Sequence, residues 1–176
     1  MAYTFLKAQG ISIGHSLSED NMVQKAKEII ASAKAKNITF FLPEDTVCTT
    51  TLEPNAIIKT VVTQNGIPPE FQGVDIGEKT ISRWTEEFKK AKTILWNGPV
   101  GIFEDSRFAH GTMALANALA DLRGVTTIIG GGDSACAVQQ AGCASRISHI
   151  STGGGASLEY IEFGTLPGVD VLSHIE

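Results

Sequence analysis

Three glycine-rich turns carry the residues best suited to chemistry in this chain. They are Trp96-Asn97-Gly98-Pro99-Val100-Gly101, Gly130-Gly131-Gly132-Asp133-Ser134 and Ser151-Thr152-Gly153-Gly154-Gly155-Ala156-Ser157. Glycine has no Cβ, so its backbone can approach a ligand with no side chain in the way. Bare N–H groups at a helix N-terminus, aided by the positive end of the helix dipole, bind phosphate groups. Residues of this kind, in three places, point to a phosphorylated small molecule as ligand.

Each turn follows a short apolar or β-branched run: Thr93-Ile94-Leu95-Trp96, Thr126-Thr127-Ile128-Ile129 and Ile147-Ser148-His149-Ile150. Such runs, bounded by glycine, read as buried strands. Around them the pattern alternates between strand and helix. Met22, Val23, Ala26, Ile29, Ile30 and Ala33 mark one helix face that begins near Asp20. Ile38-Thr39-Phe40-Phe41-Leu42, closed by Pro43, reads as a strand. Residues 53–73 hold Pro54, Gly66, Pro68 and Pro69 and read as irregular, with one edge strand over 58–63. An extended piece is expected over 74–76 and helices over 82–90, 112–122, 135–141 and 156–161. This order predicts an α/β, doubly wound, Rossmann-like three-layer sandwich with a mainly parallel sheet, a single domain over residues 1–176. Ligands of such sheets sit outside the carboxyl ends of the strands, where all three turns fall. Met1 to Leu6 reads as an apolar helix with no strand ahead of it, so the first strand or strands are expected to be missing.

The composition excludes several classes. Acidic residues outnumber basic ones by 19 to 14, for a net charge of −5, and no lysine or arginine run marks a nucleic-acid surface. No apolar stretch is long enough for a membrane helix, and the N-terminus lacks the pattern of a secretory signal. Cys48, Cys136 and Cys143 match no zinc or redox spacing and are expected to be buried, reduced thiols of a cytoplasmic protein. His15, His110, His149 and His174 show no ligand spacing, and Ser151, Thr152 and Ser157 have no nearby His and acid to complete a triad. The third glycine of a dinucleotide fingerprint is replaced by Leu158, which disfavours a nicotinamide-dependent oxidoreductase, and no Gly-x-x-x-x-Gly-Lys-Ser/Thr motif occurs.

What matches in order and spacing is a set of segments running almost end to end. These are Met1-Ala2-Tyr3-Thr4-Phe5-Leu6, Leu42-Pro43, Asp75-Ile76-Gly77, Trp96 to Glu104, Gly130 to Ser134, Ser151 to Glu159 and Leu166-Pro167-Gly168-Val169. On these segments the chain closely resembles the C-terminal, nucleotide-binding half of phosphoglycerate kinase. The resemblance implies phosphoryl transfer between 1,3-bisphosphoglycerate and Mg-ADP, giving 3-phosphoglycerate and ATP, a reaction that depends on positioning and charge neutralisation. It further implies that Asp133 reaches the Mg2+ on the phosphates of ADP or ATP, and that Gly131, Gly132 and Ser134 contact those phosphates. Glu104 would hold the ribose hydroxyls, Asn97 and Pro99 would line the nucleotide site, and Gly73 and Val74 would lie against the adenine. Gly153, Gly154 and Gly155 would present amides to the phosphoryl group in flight.

Each role has a plainer rival in the residues themselves. Asp133 suits a helix cap, Glu104 a solvated surface, Asn97-Gly98-Pro99 a simple turn, and Gly153 to Gly155 close packing. The family's N-terminal domain with its basic phosphoglycerate site has no counterpart; the arginines are Arg83, Arg107, Arg123 and Arg146, scattered along the chain. Phe163-Gly164-Thr165 also departs from the family's usual Gly-Lys-x before Leu-Pro-Gly. A fragment without turnover is therefore expected, with self-association through its truncated edge. The alternative is a noncatalytic nucleotide-binding or interaction module.

Overall fold

The computed structural model describes residues 1–174 and divides into two compact units. The first contains residues 1–83 and 104–111, the second residues 84–103 and those from 112 onward.

In the first unit, helix α1 (Ala2–Ala8) packs on α2 (Val23–Ala35), which follows a 3-10 turn at Asp20–Met22. Of the expected α2 face, Ala26 and Ala33 are buried, whereas Met22 and Ile29 are exposed. Three strands, β1 (Asp45–Thr49), β2 (Ile58–Val62) and β3 (Gln72–Ile76), form an antiparallel sheet in the order β2-β1-β3. Thus the edge strand expected within residues 53–73 is present as β2, while the expected strand over 38–42 is not a strand, and β1 takes the central place. The sequence of β1 hides its burial because it is polar. Its threonines are satisfied internally: Thr46 shares a hydrogen bond with Thr63 at 2.9 Å, and Thr49 donates to the Thr51 carbonyl at 2.6 Å. Cys48, Ile67 and Phe71 form the apolar centre, with Tyr3 and Val61 against it.

Two buried carboxylates hold helix starts. Asp45 accepts hydrogen bonds from the Lys79 and Thr80 amides and from the Thr80 hydroxyl, at 3.1, 2.9 and 2.7 Å. That remote cap explains why α3 (Glu78–Phe88) begins four residues before the start expected from its own apolar pattern. Asp75 accepts from the Ile76 and Gly111 amides at 2.8 and 2.7 Å, and so holds the start of α4 (His110–Asp121).

The second unit contains the predicted βα alternation. Strands β4 (Thr93–Asn97), β5 (Thr126–Gly130) and β6 (His149–Ser151) form a parallel sheet in that order. Helices α4, α5 (Gly132–Gln140) and α6 (Gly154–Phe163) follow the strands in turn, with a short α7 (Pro167–Asp170) after them. Ala116, Leu119, Ala120, Ile129, Val138 and Cys143 form its core. This is the Rossmann-like α/β arrangement read from the sequence. All three cysteines are free, but Cys136 is exposed, contrary to the expectation of three buried thiols; it lies on the outer side of α5. Among the described residues no helix is long and apolar enough to cross a membrane.

Burial raises the Asp75 carboxyl from 3.8 to about 6, against the opposing pull of the Gly111 and Ile76 amides. The folded protein therefore binds this proton more tightly than the unfolded chain does. The stability it adds is fully present below about pH 4 and is lost as pH rises through about 6. Chemical denaturation between those limits should show Asp75 lowering stability by about 2–3 kcal/mol, and Asp75→Asn should flatten that pH dependence.

Candidate functional site

The three parallel strands stop in one row. Asn97 on β4 lies beside Gly130 on β5, and Gly130 lies beside Ser151 on β6. The glycine turns therefore leave the sheet from a common edge, the carboxyl end of each strand.

From that row β5 passes into α5 through Gly131, whose φ of 101° is one that residues with a Cβ rarely adopt. The Gly131 amide donates to the Ser151 carbonyl at 2.9 Å, joining the second turn to the third. The Ala135 amide donates to the Gly131 carbonyl and opens the helix. The amides of Gly132, Asp133 and Ser134 precede that bond, and no side chain caps them. The third turn repeats the pattern. Ser157 bonds the Gly153 carbonyl through its amide at 3.3 Å, and again through its hydroxyl, so the amides of Gly154, Gly155 and Ala156 stand uncapped at the start of α6.

The two helix starts touch. A Cβ built on Gly154 would fall 3.2 Å from the Gly131 Cα, and one on Gly131 would fall 3.6 Å from the Gly154 Cα. At Gly132 and Gly155, by contrast, an added Cβ meets nothing within 4 Å, so these two residues face open space. Asp133 is exposed in the first turn of α5. The edge thus offers two neighbouring sets of N–H donors and one carboxylate.

Side chains bolt this edge together. The Asn97 amide nitrogen donates to the Gly154 carbonyl at 3.2 Å, reaching from the first turn to the third. The Gly98 amide donates to the Ser134 hydroxyl at 2.7 Å, and Ser134 is fully buried. The Trp96 indole donates to the Gly98 carbonyl at 2.5 Å, and the Val100 amide to the buried Thr112 hydroxyl at 3.3 Å. Pro99 sits half-buried in this bolted turn. Reading the sequence missed the bolting roles of Ser157 and Thr112, whose types are common and whose partners lie on other elements.

The remaining expected site residues belong to the first unit. Gly73 and Val74 are on β3. The Gly73 amide donates to the Ser16 hydroxyl at 2.9 Å, a Cβ there would lie 2.2 Å from the Tyr3 hydroxyl oxygen, and Val74 is buried. Glu104 is exposed in a turn.

The donor set fits an anion that carries its own cation. Among the described residues no group of three His, Cys, Asp or Glu side chains could hold a metal ion. Asp133 is an exposed carboxylate beside the uncapped amides of this helix start.

Comparison with known proteins gives one family. A family model described as phosphoglycerate kinase matches residues 1–163. The phosphoglycerate kinase of Geotalea daltonii is 49% identical over 172 residues, covering 98% of this chain and 43% of its own length. That of Prosthecochloris aestuarii is 50% identical over 175 residues, covering 98% and 44%. The solved structure of phosphoglycerate kinase from Coxiella burnetii superposes with a TM-score of 0.90 at 36% identity, over 98% of this chain and 43% of that one. The chain spans less than half the length of these relatives.

Ser134→Ala removes the acceptor of the Gly98 amide at a fully buried position. It should cost about 1–3 kcal/mol in urea unfolding, and hydrogen exchange should quicken at Gly98 more than elsewhere in the sheet.

Proposed function

This chain belongs to the phosphoglycerate kinase family, and we propose that residues 1–176 are the nucleotide-binding half of such a kinase. The observation that carries this reading is the row Asn97–Gly130–Ser151, which gathers two uncapped helix starts and one exposed carboxylate at a single sheet edge.

In this reading the substrate is ADP or ATP with Mg2+ on its phosphates. The amides of Gly132 and Asp133 at the end of the Gly131–Gly132 turn hold the phosphates, because N–H groups with no helical acceptor are matched by phosphate oxygens. The Gly131 amide is bonded to the Ser151 carbonyl, and the buried Ser134 supports the turn from beneath. Asp133 contacts the Mg2+, whose charge offsets that of the phosphates. The Gly153 amide donates to the Ser151 hydroxyl at 3.2 Å. That leaves the amides of Gly154 and Gly155 to face the transferred phosphoryl group and stabilise its charge as it moves, with no reorganisation at the moment of transfer. Asn97 and Pro99 line the nucleotide site, while the ribose role of Glu104 and the adenine role of Gly73 and Val74, residues of the first unit, rest on the family resemblance alone.

The second substrate, 3-phosphoglycerate or 1,3-bisphosphoglycerate, carries several negative charges, and two of the four arginines are not free to meet them. Arg107 is committed to Asp105 and to the Leu52 and Glu53 carbonyls, and Arg146 to Asp121. The chain by itself is therefore a nucleotide binder without turnover, acting within a glycolytic enzyme of the cytoplasm.

Calorimetric titration with Mg-ADP tests this. The chain should bind, and Asp133→Asn should bind roughly 10–100-fold more weakly, the range for losing one contact to a charged group. No binding by the folded chain would overturn the nucleotide reading. Equal binding by Asp133→Asn would remove the role of that carboxylate. Turnover with 3-phosphoglycerate and ATP matching a whole kinase assayed alongside would overturn the division of labour.

A further inference from the structure

A second group of charged residues lies at the other end of the parallel strands, away from the glycine turns. There the ends of α3 and α4 and the chain leading into β5 border a cavity of about 460 Å³, a size typical of small-molecule sites. Thr85 and Lys89 come from the end of α3, and Ala118 and Asp121 from α4. Leu122, Arg123 and Val125 come from the connection between α4 and β5. All of these residues belong to the second unit. Val125 directly precedes β5, so the length of that strand, roughly 13 Å at about 3.3 Å per residue, lies between the cavity and Gly130.

The charges around this cavity do not cancel. Asp121 is held by Arg146, Glu86 by Lys89 at 2.5 Å, and Glu87 by Lys90 at 2.9 Å. Arg123 is left over: it is exposed, and among the described residues its side chain has no partner. Lys92, whose carbonyl accepts the Thr126 amide at 2.9 Å, is likewise exposed and unpaired at the same edge. Lys89 and Glu86 are each more than half exposed, so their pair contributes little and the ammonium can turn to a better partner. A guanidinium meets two phosphate oxygens at once, and a surplus of two positive charges suits the dianion of a phosphate monoester better than a single carboxylate. Ala118, Leu122 and Val125 give the lining an apolar part, which a bare phosphate ion would leave unused. We propose that this cavity binds a small phosphate monoester, with Arg123 and Lys89 on the phosphate oxygens and Ala118, Leu122 and Val125 against its apolar body. The site is separate from the glycine turns and does not rest on the nucleotide reading.

Phenyl phosphate is the probe, titrated into the isotope-labelled full chain at fixed ionic strength while backbone amide NMR shifts are followed. Saturable shifts are expected over residues 85–89 and 118–125. Inorganic phosphate, which lacks the apolar body, and benzoate, which lacks the second charge, should each bind roughly fivefold or more weakly. Arg123→Gln should weaken binding roughly tenfold, the loss of one charge-assisted contact, and Arg123→Lys should recover part of it. Ala118→Leu fills the cavity and leaves its charges alone, so it should remove binding; spectra without ligand check that each variant keeps its fold. The proposal is overturned by shifts confined to residues 97–101, 130–134 and 151–157, or by shifts that rise without saturating. It is equally overturned if inorganic phosphate or benzoate binds as tightly as phenyl phosphate, if Arg123→Gln binds unchanged, or if a folded Ala118→Leu chain binds as before.

Discussion

The register of three parallel strands is the constraint on which the second unit depends. Because Asn97, Gly130 and Ser151 share a row, the turns after them leave the sheet at the same level, and the starts of α5 and α6 come within touching distance. A slip of one residue in β4 would turn Asn97 to the opposite face and break its bond to the Gly154 carbonyl. The glycines answer to the same constraint: a Cβ on Gly154 would fall 3.2 Å from the Gly131 Cα and crowd it, and Gly131 holds a φ of 101° that residues with a Cβ rarely adopt. Register sets the distance, glycine permits it, and the bolting side chains hold it.

The first unit is held by a different device. Its central strand is polar, and its order comes from buried oxygen atoms that all find donors. Asp45 fixes the beginning of α3 and Asp75 that of α4, each across a long stretch of sequence. A Cβ on Gly77 would fall 2.3 Å from an Asp45 carboxylate oxygen, and one on Gly111 would fall 2.3 Å from an Asp75 oxygen. Here glycine makes room for a carboxylate of the protein itself, whereas at Gly132 and Gly155 it leaves open space.

Much of this was legible in the residues. The three βα units showed as short apolar runs ending in glycine, and the motif segments pointed to the family. Local patterns failed where partners are distant. Strand β1 was missed because Asp45, Thr46 and Thr49 look like surface residues until Thr63 and Thr80 are brought to them. The start of α3 was placed late because its cap is Asp45, far away in sequence. The run at 38–42 was read as a strand on composition alone; a strand also needs a neighbour, and composition carries no record of one. At the site, the glycines and Asp133 stood out by type, while Ser157 and Thr112 had nothing local to mark them.

The bolts across the glycine turns bear on what recognition costs. A glycine-rich loop left free would lose much backbone entropy on closing around an anion, and that loss would be subtracted from affinity. Here Asn97, Ser134 and Ser157 have already removed much of that freedom during folding. The cradle is built rigid from the most flexible residue type, so for any anion bound there the entropy of shaping it would be charged to the folding of the chain rather than to binding.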